Sequence, residues 1–390
     1  MLRISIALFL AGFATFSLVY STQPLLPEFS AEFGVDPATS SLSLSLTTGF
    51  LAFSILCSGA LSETLGRRGL MFASICCAAV LNFIASVAPT WELLLLARAL
   101  VGIVIGGVPA VAMAYLAEEM PPWRLGLAMG LYVAGNAFGG MIGRVAVGAL
   151  TEHYSWRTAL EVVSVIDLIV AFGFLLLLPP SRNFIAQKGL GLMYHLAAWK
   201  GHLGDKKQIL LFVTAFLGVG SFVTVYNYMG FRLLDAPFNL THSQVGLIFF
   251  SYIFGMLASS LAGGLADKLG RGPVMLTGCI ITLCGIACTL STSLAFIITG
   301  IAFVTFGFFA VHSVASSWVG KLAIKNKSHA SSLYLLCYYI GSSVLGSLGG
   351  WFWHWGGWSA VAGFCGAMGG LVLVAGIILA FVRDETYSSS

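Results

Sequence analysis

Apolar residues along this chain run in blocks of about twenty, separated by short polar connectors, from the N-terminus to residue 382. A block of ~20 apolar residues is the length of an α-helix that crosses the hydrocarbon core of a bilayer. Helices are the expected spanning form, since backbone groups in hydrocarbon must be hydrogen-bonded within the segment. The pattern predicts spans over residues 4–27, 40–64, 69–88, 91–117, 125–151 and 157–179, then over 208–232, 243–266, 273–291, 294–319, 329–350 and 357–382. Turn formers such as Ala88-Pro89-Thr90 and Pro121-Pro122 fall in the connectors. Arg3 followed by an apolar run suggests a signal peptide. That run continues to Pro27, longer than a signal core, and reads as a retained first span.

Charge sharpens this picture. Charged residues make up 9% of the chain and apolar ones 58%, with a mean hydropathy of +0.95; a soluble domain carries roughly 25% charged residues. The 46 glycines suit closely packed membrane helices. With the N-terminus placed in the cytoplasm, 15 of the 19 Lys and Arg lie at inward-facing ends and loops. Arg157 and Arg232 lie outside, and Arg98 and Arg144 within spans. The split supports twelve spans with both termini cytoplasmic. The net charge of +4 gathers on no single face, so nucleic acid is not an expected partner. The eight cysteines all lie in apolar runs without metal-binding spacing and read as packing residues; no metal or cofactor is expected.

The longest connector, 181–207, divides an N-terminal six-helix bundle (1–180) from a C-terminal one (208–390). Leu192, Leu196 and Trp199, with lysines nearby, fit either a segment lying on the cytoplasmic membrane surface or a plain linker.

The two sets share a motif. Gly59-Ala-Leu-Ser-Glu63-Thr-Leu-Gly66-Arg67 ends span 2, and Gly263-Gly-Leu-Ala-Asp267-Lys-Leu-Gly270-Arg271 ends span 8, an offset of 204 residues. Such duplication is a known route to alternating access, with a binding site between halves near the bilayer midplane. The motif's glycines permit close helix approach and a tight turn. Its acid can face a helix N-terminus, and its arginine can bind a carboxylate on another helix, Glu118 or Glu119 being available. The cluster is expected to hold the inner side shut in one state; the plainer alternative is a positive-inside anchor.

The duplicated motif resembles the signature loop of the major facilitator superfamily. Within that superfamily the chain looks like the drug:proton antiporter group, and there the YnfM-type transporters. Tyr20-Ser-Thr-Gln23-Pro24 closing span 1, Leu96-Ala-Arg98-Ala-Leu-Val-Gly102 in span 4, Tyr115-Leu-Ala-Glu118-Glu119 ending it, and Gly135-Asn136-Ala-Phe-Gly139-Gly140-Met-Ile-Gly143-Arg144 in span 5 carry the resemblance. It implies an all-α membrane protein with twelve transmembrane helices in two pseudo-symmetric six-helix bundles, a bacterial inner-membrane location and proton-coupled efflux. The chain departs from the family in places. Thr64 stands where the loop usually carries a basic residue, Gly140 where the antiporter pattern has proline, and Arg144 where it has glycine. The YnfM-type proteins share the arginine pattern.

A charge near the bilayer centre costs at least ~2.5–3.5 kcal/mol on insertion scales, so intramembrane ionisable groups are the first functional candidates. Arg98, Arg144, Asp167 and Glu161 are those of the first set. In one reading Arg144 faces the cavity and binds an anionic or carboxylate-bearing solute as a fork. Asp167 or Glu161 then carries the proton, and Arg98 shares in coupling by resemblance to the family's fourth-helix arginine. In the other, an arginine pairs with Asp167 or Glu161 and braces helices. Tyr20, Gln23, Tyr132 and Asn136 are polar groups on spans 1 and 5, which the resemblance places beside the cavity. The second set offers Tyr226, Asn227, Tyr252, Tyr334, Tyr338 and Tyr339 as lining, and His312 as a group able to titrate near neutrality. Trp351, Trp353, Trp355 and Trp358 read as an outer aromatic belt. Gly59, Glu63, Gly66, Arg67, Glu118, Asp267, Gly270 and Arg271 are the expected gating residues.

These features predict a secondary transporter that exports a small organic solute against inward proton flow, acting as a monomer in the lipid bilayer. Import or exchange of small organic anions, carboxylates among them, is the alternative, favoured by the buried arginines. No G-x-x-x-x-G-K-[S/T] loop is present, so ATP is not the visible energy source. H-E-x-x-H and G-x-S-x-G patterns are absent, so an enzyme is not expected. No connector is long enough for a signalling domain.

Overall fold

The computed structural model describes residues 2–183 and 192–381, with the backbone alone described over residues 59–65 and at a few other helical positions. The described residues are helical and short-looped. α1 (Leu2–Tyr20), α2 (Leu26–Phe33), α3 (Pro37–Leu65), α4 (Arg67–Ser86), α5 (Trp91–Ile105), α6 (Gly107–Glu119), α7 (Pro122–His153) and α8 (Trp156–Leu177) form the first set. α9 (Leu192–Leu203) lies in the connector. α10 (Lys206–Leu234), α11 (His242–Gly246), α12 (Tyr252–Leu269), α13 (Arg271–Cys288), α14 (Leu294–Leu322) and α15 (Lys327–Phe381) follow.

Eleven helical segments among the described residues are long and apolar enough to cross a membrane. One of them, Lys327–Ala380, has 54 residues, or ~80 Å at 1.5 Å per residue, more than twice the hydrocarbon thickness. It breaks at Gly356 and Gly357, where the dihedrals are non-helical and Gly357 has φ +58°. Two crossings result, and twelve in all. The surface is inverted relative to a water-soluble protein: Ser40, Ser41, Ser43, Thr47 and Thr48 are buried, while Phe53, Leu96, Ile103, Ile169 and Leu176 face outward. Lipid is the solvent that accepts such an exterior.

Three predicted spans are interrupted. Span 1 stops at Tyr20, passes through a 3₁₀ turn at Gln23–Leu25 and resumes as α2, because Pro24 and Pro27 cannot donate to the helical ladder. Span 4 breaks between α5 and α6 at Gly106-Gly107, ahead of Pro109. Span 8 begins as α11, held by a capping box between Thr241 and Gln244, and reaches α12 through a 3₁₀ segment, Leu247–Ser251.

The sequence repeat is also a backbone repeat. Gly66 joins α3 to α4 at φ +74°, ψ 152°, and Gly270 joins α12 to α13 at φ +88°, ψ 155°; such dihedrals are open essentially to glycine alone. Helix packing repeats as well. A Cβ on Gly139 of α7 would lie 2.1 Å from the Phe13 carbonyl oxygen of α1, and one on Gly341 of α15 would lie 2.2 Å from the Phe216 carbonyl oxygen of α10. Each pair occupies the same place in its own six-helix set.

By contact the chain forms two compact units. One contains the described residues of Met1–Leu190 with Tyr226–Phe250 and Ser342–Trp358; the other those of Gly191–Val225, Ser251–Gly341 and Ser359–Ser390. Within the first unit, parts of α10, α11 and α15 pack on the first helix set.

Candidate functional site

In the first unit, Arg144 and Gln23 meet. α7 carries Arg144 one turn beyond Gly140, and the break after α1 turns Gln23 toward it. Arg144 Nε donates to Gln23 Oε1 at 2.6 Å and Nη1 to the Gly140 carbonyl at 2.6 Å. Gln23 Nε2 donates to Asn227 Oδ1 at 2.8 Å, and Asn227 Nδ2 reaches the Gly346 carbonyl at 3.4 Å. The guanidinium lies 4.1 Å from the Tyr20 ring centroid and 5.1 Å from that of Phe249. Tyr226 stacks on Phe249 at 5.3 Å. Arg144 is 1% exposed. Aromatic faces stabilise such a desolvated cation.

Gly140 and Arg144 are neighbours. A Cβ at position 140 would sit 3.1 Å from Arg144 Nη1, so the guanidinium would have to shift slightly to admit it. Gln23 and Asn227 lie 204 residues apart, the offset of the duplicated motif. Their bond joins span 1 to span 7 within the first unit.

One turn apart on α7, Tyr132 and Asn136 face α1. The Tyr132 hydroxyl and Asn136 Oδ1 are buried as neighbours of one another, and neither makes a well-formed hydrogen bond among the described residues. Buried polar atoms of this kind call for an explanation, and a solute or a water is the ordinary one.

Arg98 is fully buried elsewhere in the first set. Its Nη1 donates to the Leu18 carbonyl (3.0 Å) and Asn82 Oδ1 (2.7 Å), its Nη2 to the Val19 carbonyl (2.6 Å), and its Nε to the Ser43 carbonyl (3.2 Å). Leu18 and Val19 carry carbonyls orphaned where α1 breaks. Arg98 therefore caps that break. Asn82 continues to Ser164 at 2.9 Å. One turn on along α8, Asp167 is fully buried without a cationic partner among the described residues; its polar neighbour is the Ser17 hydroxyl of α1, short of a well-formed hydrogen bond. No ion pair joins Arg98 to Asp167 or Glu161. Glu161 is half-buried in α8.

The second unit gathers other predicted groups. Tyr334 Oη and His312 Nδ1 lie 3.0 Å apart. The His312 ring meets Phe308 at 5.8 Å and Tyr338 at 4.8 Å, and Phe308 stacks on Phe222 at 4.2 Å. Tyr252 meets Phe222 and Phe309 edge-on at 5.7 and 5.6 Å. His312 thus sits in an aromatic group.

At the motif end of the helices, Arg67 grips Glu118 through Nη2–Oε1 (2.7 Å) and Nε–Oε2 (3.3 Å). Glu119 instead accepts from the backbone N–H groups of Arg182 and Asn183. In the second copy the polarity reverses: the motif acid Asp267 lies 3.6 Å from Lys321 and 3.7 Å from Arg271. Gly59 and Glu63 lie in the stretch of α3 whose backbone alone is described.

At the opposite end, inside the first unit, α3 and α15 meet through small polar residues. Ser343 Oγ donates to the Ser45 carbonyl (2.6 Å), Ser347 Oγ to Ser45 Oγ (2.7 Å) and Ser41 Oγ to Ser347 Oγ (3.1 Å). Glu28 pairs with His242 at 2.8 Å, and Glu152 accepts from the Ser243 N–H at 2.7 Å. Trp351 and Trp355 are exposed there, whereas Trp358 is buried beside Arg232. Sequence reading passed over Phe249, Asn82 and the serines. Asn82 left a signal, as a lone amide in an apolar span; Phe249 and the serines left none that sets them apart from helix packing. Among the described residues no three His, Cys, Asp or Glu side chains gather in a group that could hold a metal.

The Major Facilitator Superfamily model matches residues 8–237 and 211–390. The chain is 44% identical to the uncharacterized MFS-type transporter YybF of Bacillus subtilis (strain 168), covering 93% of this chain and 89% of that one. It is 42% identical to the inner membrane transport protein YnfM of Escherichia coli (strain K12), covering 96% and 90%. Among solved structures, the nucleoside transporter NupG superposes with a TM-score of 0.76 at 15% identity over 97% of this chain and 99% of that one, a likeness of fold. Twelve apolar crossings, a duplicated glycine-arginine loop and these matches agree: the chain belongs to the Major Facilitator Superfamily, as a membrane transporter and not an enzyme.

Proposed function

We propose that this transporter exports a small organic solute bearing an anionic group, in exchange for protons, by alternating access between the six-helix halves 1–180 and 208–390. The observation that carries the reading is the chain Arg144–Gln23–Asn227, in which a buried cation on α7 is tied through the break after α1 to α10. A guanidinium offers five donors in a planar fork that suits a carboxylate. An anion arriving at Arg144 would compete with the Gln23 amide and so loosen the Gln23–Asn227 link. Binding would then favour the state in which that link is open, the differential affinity that alternating access requires.

Asp167 is our proton carrier. A buried carboxylate with no cation beside it and only the Ser17 hydroxyl as polar neighbour is costly to ionise, so we assign the closed arrangement a proton on Asp167 and the other state a released one. Arg98 acts through its hold on the α1 break, which places Tyr20 and Gln23. The serine contacts of α3 and α15 form the outer gate, and the Arg67–Glu118 and Asp267–Lys321 pairs the inner one, with both termini cytoplasmic and the monomer as the working unit. Tyr132, Asn136 and Tyr226 are our candidate solute contacts in the first unit, and Tyr252 and the His312 group those of the second.

The test is counterflow in vesicles with an imposed pH gradient, using acidic solutes selected because they raise the stability of the purified protein at two pH values. Gradient-driven flux of an acidic solute is expected. Flux indifferent to the gradient overturns antiport and leaves the alternative, exchange or import of small organic anions, which the same arginine site serves.

A further inference from the structure

α9 does not hang free of the second unit. Tyr194 Oη donates to Asn326 Oδ1 (2.8 Å), His202 Nε2 lies 3.2 Å from the Asn326 carbonyl, and Trp199 Nε1 donates to Ser332 Oγ (3.3 Å). The His329 ring meets both Tyr194 and Trp199 edge-on at 5.9 Å. Asn326, at φ +53°, turns the chain between α14 and α15. Residues 194, 198, 199 and 202 thus form the docked face of α9.

The opposite face is a stripe. Met193, Leu196, Lys200 and Leu203 fall within about 80° of one another at 100° per residue. The three apolar members are 77%, 46% and 52% exposed. Beside the helix, on the connection it grips, Ile324 is 87% exposed and is followed by the exposed Lys325 and Lys327. The acids nearby are occupied: Asp205 accepts from the backbone N–H groups of Lys207 and Gln208, and Asp267 pairs with Lys321 and Arg271.

This patch sits where three spans emerge, at the start of α10, the end of α14 and the start of α15. The ends of helices long enough to cross a bilayer meet its headgroup layer when they span it. Exposed apolar side chains with lysines among them fit that layer, the chains entering the acyl boundary and the ammonium groups reaching phosphates. We propose that α9 and the 323–327 connection form a docking site for the anionic lipids of the adjoining leaflet, with Met193, Leu196, Leu203 and Ile324 inserted and Lys200, Lys325 and Lys327 on the phosphates. The site does not depend on the direction of transport or on the role of Arg144. By its grip on Asn326 and His329 it ties the start of α15 to the membrane surface.

The test uses the full chain in nanodiscs of phosphatidylcholine with increasing phosphatidylglycerol. A spin label at Leu196→Cys, with the eight native cysteines replaced, reports depth. The label is expected to be open to oxygen and shielded from a water-soluble nickel chelate. Phosphatidylglycerol should raise the melting temperature, and Lys200→Ala/Lys325→Ala/Lys327→Ala should weaken that response roughly tenfold or more. Free nickel access in both lipids would make α9 a solvated linker and overturn the proposal. An unchanged lipid response in the triple variant, an equal response to inorganic phosphate alone, or cross-linking of two chains through position 196 would each overturn it too.

Discussion

Arg144 carries the solute chemistry in this account, and its surroundings say what replacing it should do. Arg144→Ala should abolish binding of an acidic solute, seen as loss of the ligand-induced rise in melting temperature, while the protein still folds. Arg144→Lys keeps the charge but not the fork and should retain weak binding. Persistent full binding in Arg144→Ala would remove the residue from the site. Asp167→Asn should preserve solute counterflow while removing its acceleration by a pH gradient, since an amide fills the space but takes no proton. Arg144 and Asp167 were both visible in the sequence, because a charge inside an apolar run stands out. What the sequence did not reveal is which way each points. Arg98 looked equally functional, yet it spends its donors on the carbonyls of Leu18, Val19 and Ser43. The Leu18 and Val19 carbonyls lie in the last turn of α1, where no further helical N–H follows, a consequence of where α1 stops and not of Arg98 itself.

At the scale of elements, the contact of α7 with α1 sets how closely the site's two halves approach. Gly139 packs against the Phe13 backbone, which cannot yield as a flexible side chain would. Gly139→Ala should destabilise the protein by about 1–3 kcal/mol or more, whereas Gly126→Ala, with open space around it on the same helix, should leave the melting temperature nearly unchanged. Equal effects would show that the close approach is not a constraint. The glycine run was legible as a motif because its four-residue spacing puts Gly135, Gly139 and Gly143 on one face. Element number was legible too, since each span is an apolar block of bilayer length. Span interruptions were less so. Pro24, Pro27 and Pro109 marked where a ladder hydrogen bond is lost, but a lost bond alone does not distinguish a kink from a full stop. The break in the long final helix at Gly356-Gly357 falls at the edge of the predicted span 357–382, where the glycine pair and the length of the apolar stretch both called for a turn.

At the scale of the whole molecule, the duplication is what makes transport intelligible. The repeat reappears in the dihedrals of Gly66 and Gly270 and in the paired contacts of Gly139 and Gly341. Asp267→Asn should slow switching between states more than it weakens solute binding, because Asp267 holds Lys321 and Arg271 at the motif end; unaltered exchange rates would leave the motif as a topological anchor. The solute's identity was not legible, since it depends on the side chains that share one cavity and not on their order along the chain. The most direct test of alternating access is the distance between spin labels at Thr39→Cys and Leu348→Cys, which flank the serine contacts of α3 and α15. Measured in nanodiscs by pulsed electron resonance, the pair should show a short distance that gives way to a second, longer population when pH or an acidic solute is changed. A single short distance under every condition, in protein that still transports, would contradict the account.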